Sequence, residues 1–240
     1  MSAIPHDQTR GETTPYFSEL QSAPLSCNEA ASLCMKAARG AGMTWGLAEE
    51  AGFAAAWLVA HGLDGPSYLR AHLERADGKD WQDLCPTVVP GSWQNAKGYT
   101  ACPIILGATM CDYAGLPEGP VAGARIALGP VSAPILLLPF LADLGRRHGL
   151  SFTLSAAQGA VDADGDEASL QRAATLLDAA QLELTLSVEA AHLQATRQDT
   201  AASQKGENHL RDDRSAQHIC HAHDRSGDGS IARWCRINPQ

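Results

Sequence analysis

The sequence predicts an α+β fold, with N-terminal helices packed on a small sheet and mobile N- and C-terminal ends. Three observations predict it. Apolar residues recur at helical spacing from Ser26 to Ala76, as a helix with one buried face requires. Leu182, Leu184, Leu186 and Val188 alternate with polar residues, the period of a half-buried strand. Phe152 and Leu154 alternate with Thr153 and Ser155 before a helical stretch from Ala168 to Ala180, so that strand, helix and strand follow one another.

Residues 1–24 contain few large apolar groups and are broken by Pro5, Pro15 and Pro24. Burial there cannot offset the entropy of ordering, so a disordered extension is expected. Structure is expected to begin at Ser26, which stands three residues before Glu29 in the spacing of a reciprocal helix cap. The first helix then places Ala30, Leu33, Cys34, Ala37, Ala38 and Ala41 on one face before Gly40 and Gly42 stop it. Thr44 is the next cap, and the inner face of the second helix is Leu47, Ala51, Ala54, Ala55 and Leu58, with Phe53 and Trp57 on an adjoining stripe. A third helix opens after Gly65-Pro66, carries Leu69, Leu73 and Ala76, and halts at Asp77-Gly78.

From Asp80 to Gly98, Pro86, Pro90 and Gly91 interrupt the chain, which reads as an irregular connection over the surface. Ile104 to Leu106 is either a buried strand or a helix start, because a short apolar run has no decisive period. Ala133 to Leu144 carries the same ambiguity, and Leu136, Leu137, Phe140, Leu141 and Leu144 fit a helix behind a proline-bounded start. Asp164-Gly165 is a turn signal. A single α+β domain is therefore expected over 25–190. In the poorly structured tail, 191–240, Leu210, Ile219, Ile231, Trp234 and Ile237 are the only large apolar residues beyond Arg197.

Eighteen Lys and Arg against 27 Asp and Glu leave a net charge of -9, which repels phosphate backbones and anionic lipid. Neither nucleic acid nor membrane is an expected partner. The longest apolar run, Ala133 to Ala142, contains two prolines and is about half a bilayer span. No secretion signal is legible and the seven cysteines form no C-x-x-C pair, which points to a cytoplasmic chain with reduced thiols.

The densest mixture of charge, glycine and aromatic side chain runs from Lys36 to Gly52. A short glycine turn between two helices brings Lys36 and Arg39 towards Glu49 and Glu50, and these four with Trp45 are the candidate site residues. One reading is a helix hairpin stabilised by surface ion pairs. Another is a small-ligand site in which Arg39 and the amides of the second helix bind an anionic group, making the chain a small-molecule binding or accessory protein. A third is an enzyme using Glu49 or Glu50 as acid or base on a small anionic metabolite, and a partner-binding or scaffolding surface is a fourth. Cofactor, substrate and oligomeric state are not specified by these residues.

Cys102 ahead of Pro103 has no histidine in a sequence relation that marks a base, and reads as packing. Asp162, Asp164, Asp166 and Glu167 lack the glycine and distal glutamate of a calcium loop and read as a solvated turn. His218, Cys220, His221 and His223 do not have the spacing of a tetrahedral zinc site, so no metal is expected.

The stretch K-A-A-R-G-A-G-M-T-W-G-L-A-E-E-A-G from Lys36 to Gly52 resembles a family of uncharacterised proteobacterial proteins classed as a domain of unknown function. Looser similarity extends the resemblance over Leu25 to Val188. It implies no activity. The family it resembles ends in a T-Y-x-P-x-S/T-E-x-S-R stretch and a Gly/Ala-rich segment, which this chain lacks. Reading one base later from His221 gives, for one permitted set of codons, T-P-T-T-E-A and then G-T-A-A. The tail after Arg197 is accordingly expected to be out of the ancestral frame, its histidine and cysteine cluster accidental.

Overall fold

The computed structural model describes residues 25–191; the expectations for 1–24 and for the tail, its frame included, lie outside the described residues. Within them are six α-helices and a four-stranded antiparallel sheet, an α+β arrangement. In chain order these are α1 (Cys27–Gly40), α2 (Trp45–Ala60), α3 (Gly65–Ala76), α4 (Pro103–Asp112), β1 (Arg125–Ser132), α5 (Leu138–His148), β2 (Leu150–Ala156), β3 (Gly159–Asp162), α6 (Glu167–Leu176) and β4 (Gln181–Ala190).

Local signals set the first three helices. Ser26 and Glu29 form the reciprocal cap of α1: the Ser26 hydroxyl accepts from the Glu29 amide at 3.3 Å, and the Ser26 amide donates to the Glu29 carboxylate at 2.9 Å. Thr44 caps α2 by accepting from the Leu47 amide. Asp64 caps α3 by accepting from Ser67, with Pro66 in the first turn. The buried face of α2 is the expected one, but that of α1 is narrower, consisting of Ala30, Cys34 and Ala38, while Leu33, Ala37 and Ala41 are exposed. The helices approach so closely that a Cβ on Gly52 would stand 2.7 Å from the Ala31 carbonyl oxygen. That proximity leaves room for only one stripe of α1 against its neighbour.

Ile104 to Leu106 belongs to α4, of which Pro103 to Met110 is buried on every side. Such a helix has no polar face, so its period is absent from the sequence. Gly107 is where α4 meets α5, since a Cβ there would stand 2.3 Å from the Phe140 ring. Ala133–Leu144 resolves into a short 3-10 turn, Pro134–Leu137, followed by α5. The stretch from Asp80 to Gly98 is irregular as expected, but it does not simply run over the surface: Trp81, Leu84 and Trp93 are core residues. It is anchored by backbone bridges from Ser92 to Ala127 and from Ala101 to Val131.

The sheet order is β1-β4-β2-β3. Leu184, Leu186 and Val188 of β4, with Phe152 and Leu154 of β2, turn one face into the core. The alternation of β1 is broken by a bulge between Ala127 and Gly129, with Gly129 at φ +68°, which hides the strand from a period-two reading. Strand β3 is only four residues long. Helix α6 stops at Leu176 rather than Ala180, so residues 178–180 belong to the approach to β4. Among the described residues no helix is long and apolar enough to cross a membrane.

Candidate functional site

Two constellations carry chemistry. The first is the corner between α1 and α2. Gly42, at φ +89°, turns the chain, and the Met43 amide returns to the Ala38 carbonyl. Arg39 closes the corner by donating from Nη1 to the Met43 carbonyl. Its Cζ lies 4.8 Å from the centroid of the Trp45 ring, within cation–π range. Trp45 is the first residue of α2 and is 63% exposed. Lys36 is exposed on α1, Glu49 is exposed in the second turn of α2, and Glu50 is half-buried beside it. The structure thus brings Arg39 and Trp45 together, and no ion pair joins Lys36 or Arg39 to Glu49 among the described residues.

The second constellation is a buried row of side chains from three elements. His72 of α3 lies on the same face as Leu69 and Ala76. Its Nε2 is 3.2 Å from Cys102 Sγ, and its Nδ1 is 3.1 Å from Ser132 Oγ. Cys102 is the residue before α4, and Ser132 ends β1. Two backbone bonds align these segments: the Ala101 amide donates to Pro130 at 2.7 Å and the Ser132 amide to Ala101 at 3.1 Å. Ala133, which follows Ser132, is held at φ 40° and ψ 60°, left-handed backbone unusual for a residue with a Cβ.

Burial dominates the electrostatics of the row. It pushes the Cys102 thiol up to about 12, against the opposing pull of the Ile105 and Ile104 amides at the start of α4. It also pulls His72 down to about 3, with Arg75 and Lys79 adding to the effect. The resting row is a neutral thiol, a neutral imidazole and a hydroxyl, each satisfying a buried neighbour. Sequence reading assigned Cys102 to packing and did not single out His72 or Ser132. The available signal was His72 itself, three residues after Leu69 and four before Ala76, hence on the inward face of α3.

Trp81 connects the two constellations. Its ring centroid is 6.0 Å from that of His72, and its indole N–H donates to the Ala41 carbonyl at 2.9 Å, at the corner. The acidic cluster after β3 is occupied by local roles. Asp162 accepts from Thr153 at 2.7 Å, Asp164 accepts from the Asp166 amide at 3.1 Å, and Asp166 caps α6 by accepting from the Ser169 amide at 2.8 Å.

No curated protein and no solved structure matches the chain. Residues 25–102, from the start of α1 through Cys102 and so including both the corner and His72, match the model of a family described as protein of unknown function (DUF3726).

Proposed function

We propose that this is a small-molecule binding or accessory protein of the cytoplasm that takes a small anionic ligand at the α1–α2 corner. The observation that supports this reading is the Arg39 guanidinium held against Trp45 at the first turn of α2. A guanidinium carries five donors, and Met43 accepts from Nη1 alone. The first-turn amides of Trp45 and Gly46 lie where a helix leaves N–H groups without intrahelical acceptors and where its dipole favours negative charge. A carboxylate or phosphate at this point meets a cation, two amides and the indole of Trp45. Lys36 supplies a second positive charge from α1, and Glu49 and Glu50 bound the site on the α2 side.

A reading as an enzyme acting on the same anion rests on the half-burial of Glu50, which favours it over the exposed Glu49 as acid or base. Both readings meet the same test. Thermal-shift titration of the full chain with small carboxylates and phosphates is expected to raise the melting temperature, and Arg39→Ala to weaken binding by about tenfold or more, roughly 1.4 kcal/mol. Stabilisation that survives Arg39→Ala unchanged removes Arg39, and with it this proposal.

A further inference from the structure

The buried row has the parts of an acyl-transfer site and is independent of anion binding at the corner. Cys102 immediately precedes the ten-residue helix α4, so its sulfur faces the end where backbone amides stabilise negative charge. The Ile105 and Ile104 amides act on the sulfur and favour its charged form. His72 Nε2 stands within reach of that sulfur, and the opposite ring nitrogen is engaged by Ser132. With Nδ1–H donated to Ser132 Oγ, Nε2 carries the lone pair a general base needs. Nucleophile, base and orienting hydroxyl come from a helix start, a helix face and a strand end, three elements packed into one core.

We propose that Cys102 and His72 are the nucleophile and general base of a latent acyl-transfer site for small uncharged esters or thioesters, with Ser132 as a positioning residue. With the adjoining segment from Trp81 to Ala101 opened, and the burial that keeps both groups neutral thereby relieved, His72 Nε2 takes the thiol proton as Sγ bonds to the acyl carbon. The ester or thioester bond then breaks, and the leaving alkoxide or thiolate departs with that proton. Water, deprotonated by His72, attacks the acyl-cysteine, releasing a carboxylic acid and restoring the thiol.

The row is buried, and the segment from Trp81 to Ala101 lies against it, so access requires that segment to open. Trp81 flanks the imidazole, and the Leu84 carbonyl accepts from the Cys102 amide at 3.4 Å. This segment is fastened by isolated bridges rather than a strand ladder and by its core residues Trp81, Leu84 and Trp93, so the row is reached only when the segment opens as a local unit. The apolar residues around Cys102, among them Ile104, Ile105 and Leu84, exclude a charged acyl group.

The test is acylation of the full chain by p-nitrophenyl acetate, with the acetyl group located by mass spectrometry. Cys34 is the internal comparator, because it is also buried, with its thiol pushed up to about 11, and no imidazole is placed against it among the described residues. Cys102 is expected to acylate faster than Cys34 and with a shallower pH dependence. His72→Gln should slow Cys102 about 100-fold, within the range of a lost general base, and leave Cys34 unchanged. If His72→Gln does not fold, Ser132→Ala carries the test with an expected slowing of about tenfold or more, at the low end of what mispositioning a general base costs. Cys102 acylating no faster than Cys34, or at the same rate in the folded variant, overturns the proposal. None of these readings changes if the corner binds nothing.

Discussion

His72 and Cys102 stand 30 positions apart in the chain and 3.2 Å apart in space. The contact joins the inward face of α3 to the start of α4, and Ser132 extends it to the end of β1 on the other side of the imidazole. Three segments with no local reason to meet are therefore fastened by one buried histidine.

That histidine makes stability depend on pH. Its folded value of about 3 lies below the ordinary 6.5, so between those values the unfolded chain binds a proton that the folded chain does not. Stability from this group is fully present above pH 6.5 and is lost as pH falls towards 3, at up to about 1.4 kcal/mol per pH unit. Urea unfolding from pH 7 to pH 4 is expected to show a shallower loss in His72→Gln than in the native chain. Equal slopes would mean that His72 is not held neutral.

The contact of α4 with α5 tolerates no side chain at Gly107. A methyl group there would stand 2.3 Å from the Phe140 ring, and overpacking of this kind costs about 1–3 kcal/mol. Gly107→Ala should lower the urea midpoint accordingly. Phe140→Leu, costly alone, should lose less when combined with Gly107→Ala, because the two substitutions relieve each other. Simple additivity in that double-mutant cycle counts against the close approach.

At Ala133 the backbone is left-handed, at φ 40°, a conformation that costs a residue with a Cβ about 1–2 kcal/mol. The amide donates to the Ala180 carbonyl at 3.0 Å, which keeps the conformation in place. Ala133→Gly relieves the strain but increases the entropy of the unfolded chain. A net stabilisation of about 0–1 kcal/mol is expected, read as an unchanged or higher melting temperature. A clear loss would show that the Ala133 methyl contributes more to packing than its backbone costs.

Trp81 reaches the corner through a single hydrogen bond to Ala41. Trp81→Phe keeps an aromatic ring beside His72 and removes that donor, for an expected loss of about 0.5–1.5 kcal/mol. Amide exchange at Gly42 and Met43 should accelerate in the variant, because the indole clasps the turn they form. Unaltered exchange there would separate the corner from the segment that begins at Trp81.

The amino-acid sequence by itself determined the first three helices, their caps, the inner face of α2 and strands β2 and β4. Each depends on neighbours within a few positions: Ser26 with Glu29, Thr44 with Leu47, Leu184 with Leu186. The glycine turn between two capped helices was legible for the same reason, because it is local information, whereas the seating of Arg39 against Trp45 was not. Only the tertiary structure decided that Leu33 faces solvent, that residues 103–112 form a helix and that Trp93 is core. A fully buried segment presents no polar face to reveal its period, and a bulge at Gly129 shifts the alternation of β1. The row of Cys102, His72 and Ser132 belongs wholly to the second class. Its contacts span 30 and 60 positions, and no spacing rule reaches that far: packing of α3 against the α4 start and the end of β1 brings the three together.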